Sequence, residues 1–328
     1  MTANILLTGS TGFIGSHLLE KLISENYCIH CLVRKNSNFR WIREIKDKII
    51  LKEGNFLYPE TLKNVMDDID IVIHVAGVVH SIDWHNYYLF NFVGTKNILQ
   101  AALKSKKVKK FFYFSSQSAY GPLPRGEIRK EDLKPNPVSH AGKSKLLSEE
   151  EVLKHKDDIQ VTILRPTIVY GPRDLYLLPF FKYAKKGFFI SFGSLNRNIN
   201  LCYIYDLVEM VSLLLKKDIQ SGEAFYLGGQ NYPIYEIRDV LAKVVNKKLK
   251  NITIPDKILP LIGFFSEGIG KVFKRNNLLN LDSVKELTQE NWAVSTEKIS
   301  NFLGFLPYTP LKEGLKQTYE WYCKYYYL

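Results

Sequence analysis

The sequence predicts an α/β fold whose core is a doubly wound parallel sheet. Strand-like and helix-like segments alternate through the first half of the 328-residue chain. The strand-like segments are nearly continuous apolar runs, which is typical of strands that are buried on both faces of a sheet. The first of them runs directly into a glycine-spaced turn and an amphipathic segment. Alternation of this kind implies right-handed crossovers, with helices covering both faces of the sheet.

The predicted elements follow in order along the chain. Apolar runs bounded by turn residues predict strands at 4–8, 28–33, 48–53, 70–75, 110–115 and 160–165. The segments between them predict helices at 13–25, 59–66, 90–104 and 141–155. Beyond position 170 the pattern loosens into helical stretches at 205–217, 233–246 and 310–325. We therefore expect a dinucleotide-binding domain over 1–170 and a smaller, mostly helical substrate lobe over 171–328, parts of which rejoin the sheet.

The turn after the first strand has the spacing G-x-x-G-x-x-G. Gly9 lets the chain turn sharply, Gly12 lets the backbone approach a pyrophosphate, and Gly15 lets the helix pack closely on the strand. The negative charge of such a ligand would lie at a helix N-terminus, where unpaired N–H groups and the helix dipole favour it. The strand before and the helix after favour a Rossmann-type nucleotide site over a purely structural turn. The predicted contacts are Thr8, Gly9, Ser10, Thr11, Gly12, Phe13, Ile14 and Gly15.

The end of the second predicted strand bears on the choice of nucleotide. Arg34 and Lys35 stand where an acidic residue, about twenty residues beyond the glycines, would accept hydrogen bonds from an adenosine ribose 2′-OH. Two cations suit a 2′-phosphate instead, so NADP(H) is preferred and NAD(H) is the alternative. The competing interpretation is a solvated charge pair at a strand end. Asn55, which follows the third strand, is placed to face the adenine.

Composition and charge narrow the class of partner. The chain has 46% hydrophobic and 24% charged residues, and no apolar run reaches the ~18 residues of a membrane span. No charged segment of a signal peptide precedes the first strand, so we expect a cytoplasmic protein. The net charge of +12 comes from scattered lysines without an aromatic-interleaved stripe. This pattern argues against nucleic-acid binding and leaves a small-molecule substrate as the expected partner.

Cys28 and Cys31 form a C-x-x-C spacing, which also occurs in redox and zinc sites. Both lie in a predicted strand, where an odd separation points their side chains to opposite faces. Cys202 and Cys323 supply no second close pair. We therefore predict plain thiols and no metal site.

Five motifs, in this order and spacing, carry a resemblance to a known family. They are Thr8 to Gly15, His74-Val75-Ala76-Gly77, Phe114-Ser115-Ser116-Gln117-Ser118-Ala119-Tyr120-Gly121, Pro137 to Lys145 with Glu149, and Leu164 to Pro172. Together they resemble the extended short-chain dehydrogenase/reductase family, also called the NAD-dependent epimerase/dehydratase family, over nearly the whole chain. The resemblance implies hydride transfer between a nicotinamide and a carbon that bears a hydroxyl or a carbonyl.

In that family a Tyr moves the proton of the substrate oxygen, a Lys four residues later lowers the pKa of the Tyr and holds the nicotinamide ribose, and a Ser or Thr steadies the substrate oxygen. Lys145 and Ser116 match the last two roles. The position of the Tyr holds Ala141, which has no titratable atom. The neighbouring His140 projects about 100° away around the helix and is interpreted as an ordinary helix-start residue. The resemblance further implies cofactor contacts at Ala76, Gly77, Lys145, Pro166 and Ile168.

Two explanations account for Ala141. The chain is either a natural pseudoenzyme that binds NADP(H) and acts as a sensor or scaffold, or a form in which Tyr was replaced by Ala through engineering. The intact Lys145 and Ser116 favour the second explanation, because a lineage without catalysis would be free to lose them too.

The choice of substrate branch depends on two departures from the sugar-nucleotide pattern. The stretch Arg165-Pro166-Thr167 lacks the Asn that touches a diphosphate, and the Arg expected seven residues before Asp206 is displaced to Arg197. The chain thus looks more like the hydroxysteroid dehydrogenase and dihydroflavonol reductase branch. We expect an NADP(H)-dependent oxidoreductase that acts on a secondary alcohol or ketone of a small, apolar substrate. The alternatives are a nucleotide-sugar 4-epimerase or dehydratase and the non-catalytic sensor or scaffold.

An apolar stretch in the second half, Ile258 to Phe265, suits either a lid over an apolar ligand or a packed helix. Lys271, Lys274 and Arg275 follow it and are suited to anionic headgroups or a substrate phosphate, so a peripheral membrane contact is one expectation. Members of the resembled family often dimerise through two helices of the first lobe. The predicted helices 90–104 and 141–155 would serve in a homodimer.

Overall fold

In the computed structural model, which describes residues 3–81, 83–273 and 280–328, a parallel sheet of seven strands forms the centre of the molecule. The strands of the first half are β1 (Asn4–Thr8), β2 (Cys28–Val33), β3 (Ile50–Glu53), β4 (Ile71–His74), β5 (Lys110–Phe114) and β6 (Gln160–Pro166). Those of the second half are β7 (Ile168–Tyr170), β8 (Phe188–Phe192), β9 (Asn198–Tyr203), β10 (Glu223–Leu227), β11 (Gln230–Pro233), β12 (Lys250–Ile254) and β13 (Asn291–Trp292). The large sheet has the order β3-β2-β1-β4-β5-β6-β10. The predicted fold class is confirmed.

The strand order reverses next to β1, which pairs in parallel with β2 on one side and with β4 on the other. Ile5, Leu6 and Leu7 of β1 are completely buried, as expected for a strand that is covered on both faces. Ile5 and Leu7 belong to one hydrophobic cluster and Leu6 to a second, because successive side chains point to opposite faces. Ligands of open α/β sheets bind at the carboxyl ends of the strands at such a reversal, which is therefore the expected position of the site.

The helices cover both faces of this sheet and build the second lobe. They are α1 (Phe13–Ser24), α2 (Trp84–Tyr87), α3 (Gly94–Lys104), α4 (His140–Leu153), α5 (Leu178–Lys185), α6 (Ile204–Leu215), α7 (Ile234–Val244), α8 (Leu259–Phe273), α9 (Leu281–Leu287), α10 (Glu297–Leu303) and α11 (Leu311–Lys324). A π-helical stretch, Tyr88–Val93, joins α2 to α3. Three short 3-10 helices lie at Arg43–Lys48, Pro59–Leu62 and Gln117–Ala119. Among the described helices, none is both long and apolar enough to cross a bilayer.

Two helices of the first half differ from their predicted bounds. The helix expected from 90 begins at Trp84 instead, because the Asp83 carboxylate accepts the backbone N–H of Asn86 at 2.8 Å and caps the helix there. The helix expected over 59–66 is only the 3-10 helix Pro59–Leu62 followed by turns. The apolar spacing of this segment arises because Leu62, Val65 and Met66 are buried, and the backbone there is not a regular helix.

The second half contains short strands that the sequence analysis did not predict. Strand β9 pairs with β7, β11 and β13, and β8 pairs in parallel with β12. Strand β10 extends the large sheet beside β6, so the chain beyond 171 contributes an edge strand to that sheet. Most of these strands have only two to five residues and no clear alternation, which is why periodicity did not reveal them.

A chain of buried hydrogen bonds joins β1, β4 and α3 at the reversal point. The backbone N–H of Ala76 donates to Thr8 Oγ1 at 3.1 Å, and Thr8 Oγ1 lies 2.7 Å from His74 Nδ1. His74 Nε2 lies 3.0 Å from Thr95 Oγ1, which donates to the carbonyl oxygen of Asn91. The single hydroxyl proton of Thr95 is thereby used, so the imidazole carries its proton on Nε2 and accepts from Thr8 on Nδ1. Burial, reinforced by the charge of nearby Lys145, lowers the pKa of His74 to about 3.

We therefore expect acid to destabilise the fold through His74. An unfolded histidine titrates near a pKa of ~6.5, whereas the folded one stays neutral until the pH approaches its lowered pKa, so stability falls as the pH drops below about 6.5 at roughly 1.4 kcal/mol per pH unit. The free energy of unfolding, measured with urea at several pH values between 7.5 and 4.5, should change less steeply with pH in His74→Gln, by this amount per pH unit. The exposed His85→Gln is the matched control and should keep the parental slope. Equal slopes in all three proteins would contradict the assignment.

Candidate active site

The turn between β1 and α1 leaves backbone amides open at the sheet edge. Gly9 has a φ of +73°, and a Cβ there would lie 2.8 Å from the backbone nitrogen of Ala76, so no other residue fits without strain. The N-cap residue of α1 is Gly12, no side chain caps the helix, and its first turn has no acidic residue. The first amide groups of α1 consequently lack both intrahelical acceptors and a competing carboxylate.

The loop after β4 brings Gly77 against the side chain that the sequence analysis assigned to the ribose. A Cβ on Gly77 would lie 3.1 Å from Lys145 Nζ and 2.9 Å from Asn91 Oδ1. Asn91 is completely buried and holds this loop, since its Oδ1 accepts from the N–H of Val78 at 2.7 Å and its Nδ2 donates to Ser144 Oγ at 2.9 Å. The same asparagine thus positions the loop and the helix that carries Lys145.

Lys145 and Ser116 lie together at the carboxyl end of β5. Lys145 Nζ donates to the carbonyl oxygen of Phe114 at 2.7 Å. Burial lowers the pKa of Lys145 to about 8, against the opposing effect of Glu149. Ser116 Oγ accepts from the N–H of Ser118 at 3.1 Å, and among the described residues no acceptor takes its hydroxyl proton. Both residues are half-buried and keep some accessible surface.

Ala141 lies one turn before Lys145 at the start of α4. Ser139 caps this helix, accepting the N–H of Gly142 on its Oγ at 2.9 Å. The Ala141 methyl group supplies no proton at the place where the resemblance implies one. The adjacent His140 packs edge-on against Trp84, with ring centroids 5.6 Å apart, and its Nδ1 lies 3.8 Å from Asp282 Oδ1.

Two carboxylates of α9 face this helix start, and the sequence analysis did not single them out. The Asp282 carboxylate accepts the backbone N–H groups of His140 at 2.6 Å and of Ala141 at 3.2 Å. Glu286 Oε1 accepts from Ser139 Oγ at 2.5 Å. Burial raises the pKa of Glu286, and the charge of Asp282 adds to this, while the hydroxyls of Ser139 and Ser118 oppose it. A carboxyl with a raised pKa is therefore hydrogen-bonded to the residue that caps α4, two positions before Ala141.

Two rings from other loops lie close to the α9 carboxylates. His80 and Tyr176 stack with centroids 4.6 Å apart and an interplanar angle of 7°. Burial raises the pKa of Tyr176 to about 12, with smaller effects of Glu286 and Asp174. Burial also lowers the pKa of His80, which the charge of Asp282 opposes. Neither residue belongs to a motif, so the sequence held no signal for them.

The residues predicted to contact the adenosine half lie further along this edge of the sheet, after β2 and β3. Arg34 and Lys35 are exposed, and the N–H of Arg34 donates to Ser37 Oγ at 2.9 Å. Asn55 is close by, since the preceding Gly54 N–H donates to the carbonyl oxygen of Val33. Its Oδ1 accepts from the N–H of Leu57 at 3.1 Å, so part of the Asn55 side chain serves its own turn. The structure brings this group to the same sheet edge as the glycine turn.

The remaining predicted contacts lie on the far side of the reversal point. Pro166 ends β6 and pairs with Leu227 of β10, and Ile168 begins β7.

Cys28 and Cys31 are free thiols in β2, and burial raises the pKa of Cys31 to about 11. A group of three or more His, Cys, Asp or Glu side chains able to hold a metal ion does not occur in the described part of the chain.

Comparison of the sequence with known protein families identifies the family of this chain. A sequence profile of the NAD dependent epimerase/dehydratase family matches residues 5–228. The chain belongs to this family.

Similar proteins cover almost the whole chain. It is 28% identical to N-acetyl-alpha-D-glucosaminyl-diphospho-ditrans,octacis-undecaprenol 4-epimerase of Escherichia coli O157:H7, over 98% of this chain and 96% of that protein. It is 27% identical to UDP-glucose 4-epimerase of Vibrio cholerae, over 97% and 95%. The crystal structure of UDP-glucuronic acid 4-epimerase from Bacillus cereus in complex with NAD matches with a TM-score of 0.80 at 24% identity, over 98% and 99% of the two chains.

The sugar epimerases among these relatives favour the interpretation that the sequence analysis held as an alternative. They do not support the hydroxysteroid dehydrogenase and dihydroflavonol reductase branch. Arg197, the displaced arginine of the sugar-nucleotide pattern, is 5% exposed and is engaged within the fold. Its guanidinium donates to Asp256 Oδ2 and to the carbonyl oxygens of Leu287 and Thr288. It therefore joins the start of β9 to the end of α9 through both terminal nitrogens of its guanidinium.

The described residues fit the dinucleotide that the family name implies. The glycine turn forms a cradle that a Cβ at Gly12 would begin to fill, and the open amides of α1 suit a pyrophosphate. Lys145 Nζ uses one donor on Phe114, which leaves further N–H groups for ribose hydroxyls. The position of Gly77 beside Lys145 lets a flat ring approach without a side chain in the way.

We expect Gly12→Ala to separate dinucleotide binding from folding. The φ of −86° at this position suits alanine, whereas its Cβ would lie at a tight 3.3 Å from the carbonyl oxygen of Gly9, so the melting temperature should fall modestly and the chain should still fold. The methyl group would occupy space that the pyrophosphate needs, and the Kd for NAD(H) and NADP(H) should rise at least about tenfold, which corresponds to ~1.4 kcal/mol. Isothermal titration calorimetry measures this. Ser24→Ala, exposed at the other end of α1, should bind as the parent does.

Proposed function

We propose that this chain binds a nicotinamide dinucleotide along the β1–α1 turn and catalyses hydride transfer at a hydroxyl-bearing carbon of a sugar that is carried on a diphosphate. The placement of Lys145 Nζ and Ser116 at the carboxyl end of β5, across the reversal point from the glycine turn, carries the proposal. The sugar epimerases among the relatives support the substrate class.

A bound nicotinamide supplies a carbon that accepts and returns a hydride. The residues of this chain hold the reactants around it. Lys145 donates to the ribose hydroxyls and keeps a positive charge near the reacting oxygen. Ser116 donates its free hydroxyl proton to that oxygen, which fixes the orientation of the substrate.

The missing step is proton transfer at the substrate oxygen, because Ala141 carries no acid or base. We propose that turnover in the present chain is slow for this reason, whether the alanine arose naturally or by engineering. Glu286 is the titratable group that we assign to the residual proton transfer. Its carboxylate accepts a hydrogen bond from Ser139, two residues before Ala141, and another from the hydroxyl of Ser118. A raised pKa brings such a carboxyl closer to the range in which it exchanges protons near neutral pH.

Ala141→Tyr should restore the proton donor and raise kcat by roughly 10²- to 10⁴-fold, with the Kd for the dinucleotide nearly unchanged. The measurement is the change in nicotinamide absorbance with a panel of UDP-sugars and ketones, together with sugar analysis for epimerised products. If Ala141→Tyr binds the dinucleotide tightly and turns over none of the panel, the non-catalytic sensor or scaffold becomes the better proposal. Product from an apolar ketone alone would favour the reductase branch.

Glu286→Gln tests whether this carboxyl carries the residual activity. In the parent background it should abolish the slow turnover and its pH dependence, whereas in the Ala141→Tyr background it should leave most of the restored rate. Unchanged residual turnover in Glu286→Gln would remove this carboxyl from the proposal.

For the cofactor we propose a preference for NADP(H), with NAD(H) as the alternative. The exposed cations Arg34 and Lys35 at the end of β2 support it, because a 2′-phosphate would meet them at the adenosine edge. The B. cereus structure was solved with NAD, so the two nucleotides are compared directly in the test.

Arg34→Ala should raise the Kd for NADPH about tenfold, since one charge-assisted contact to the phosphate is lost, and should leave the Kd for NADH unchanged. Fluorescence titration with both nucleotides measures the two constants. Lys48→Ala, an exposed lysine before β3, is the control and should change neither. Tighter binding of NADH than NADPH by the parent chain would contradict the preference.

We also propose a division of labour along the chain and an assembly. Residues 1–170 act as the cofactor domain and residues 171–328 as the substrate lobe. The chain forms a cytoplasmic homodimer through α3 and α4, which lie side by side in the first lobe.

A further inference from the structure

The helix α8 presents large apolar side chains to solvent. Leu261, Phe264 and Phe265 are 57%, 62% and 60% exposed, and the preceding Ile258 is 47% exposed. Their spacing places them on one side of the helix. The opposite side already packs on the fold through Gly263, where a Cβ would lie 3.0 Å from Val284. The exposed side is therefore not needed to attach α8 to the protein.

The two-stranded sheet that precedes α8 in the chain also carries exposed apolar side chains. Phe188 of β8 and Ile252 of β12 are 37% and 43% exposed and lie on the same face, because β8 and β12 are parallel with Ile190 opposite Ile252. The other face of this sheet is buried through Phe189 and Ser191. We call the exposed side chains of β8, β12 and α8 together the lobe surface.

Exposed lysines lie on α5, α7 and β12 and in the turns that lead into β8, β12 and α8. They are Lys182, Lys185, Lys186, Lys243, Lys247, Lys248, Lys250 and Lys257. Among the described residues, none of these eight is joined to an acidic side chain, whereas Lys21, Lys96 and Lys298 elsewhere all are. The ends of α5 and α7 that carry most of them meet at β8 and β12, where the N–H of Lys250 donates to the carbonyl oxygen of Gly187 at 2.9 Å. The side chains of Lys271, Lys274 and Arg275 lie outside the described part of the chain.

We infer that the lobe surface docks on an anionic lipid bilayer. Phenylalanine, leucine and isoleucine side chains enter the boundary between headgroups and acyl chains, and the lysines meet the negative headgroups. A second copy of this chain is a poorer occupant, because it would bring two sets of unpaired lysines face to face. This inference concerns binding alone and is independent of the proposed reaction.

The direct test is cosedimentation of the full chain with vesicles of phosphatidylcholine alone and of phosphatidylcholine with about 30% phosphatidylglycerol, which supplies the negative headgroups. We expect the chain to pellet with the anionic vesicles and to be released at 0.5 M salt, roughly the regime in which screening shortens below 5 Å. The double variant Phe264→Ser with Phe265→Ser, and the double variant Lys185→Glu with Lys186→Glu, should each weaken partition at least about tenfold.

Two controls match these changes outside the lobe surface. Phe305→Ser removes a 54% exposed phenylalanine from the loop after α10, and Lys104→Glu with Lys106→Glu reverses two exposed lysines at the end of α3. Both should sediment as the parent does, and circular dichroism checks that every variant is folded. The inference is overturned if the parent stays in solution with anionic vesicles, or if the controls lose as much partition as the lobe variants. It is equally overturned if light scattering shows a dimer that the phenylalanine variant dissociates and that does not pellet with vesicles.

Discussion

The arrangement of the site depends on the buried hydrogen bonds that run from Ala76 through Thr8, His74 and Thr95 to Asn91. Each of these polar groups is removed from water, so each needs a partner, and the partners lie on β1, β4 and the helix between β4 and β5. The neutral imidazole can satisfy both neighbours only in one tautomer. The same groups therefore set the spacing between the glycine turn and the loop that passes Lys145.

The charge distribution around position 141 differs from what the family motif alone suggests. Lys145 on α4 has a lowered pKa, and Glu286, which is hydrogen-bonded to the cap of α4, has a raised pKa; burial is the main cause of both shifts. Asp282 caps the start of α4 from outside the helix, accepting the N–H groups of two consecutive residues. The helix start is thus rich in carboxylates. The one cation among the described residues of α9, the exposed Lys285, lies 3.8 Å from Asp282 Oδ1 and so faces a carboxylate of its own helix.

The first half of the fold was largely predictable, and the reason is local. Strands such as β1 and β2 are continuous apolar runs, and the turn after β1 needs glycine at Gly9 whatever surrounds it. The second half was less predictable. Strands β8 and β12 are held by pairing with each other, and their residues satisfy no periodic pattern. The helix α9 is seven residues long, and its importance comes from what it contacts.

The sequence by itself determined the doubly wound sheet and the glycine turn, because apolar runs and turn residues act over short distances along the chain. Only the tertiary structure decided that Asp282 and Glu286 lie at the start of α4, since Ser139 and Glu286 are 147 positions apart in the sequence. It also decided that the apolar side chains of α8 face solvent, because a hydrophobic pattern states that a side chain is apolar and leaves open what covers it.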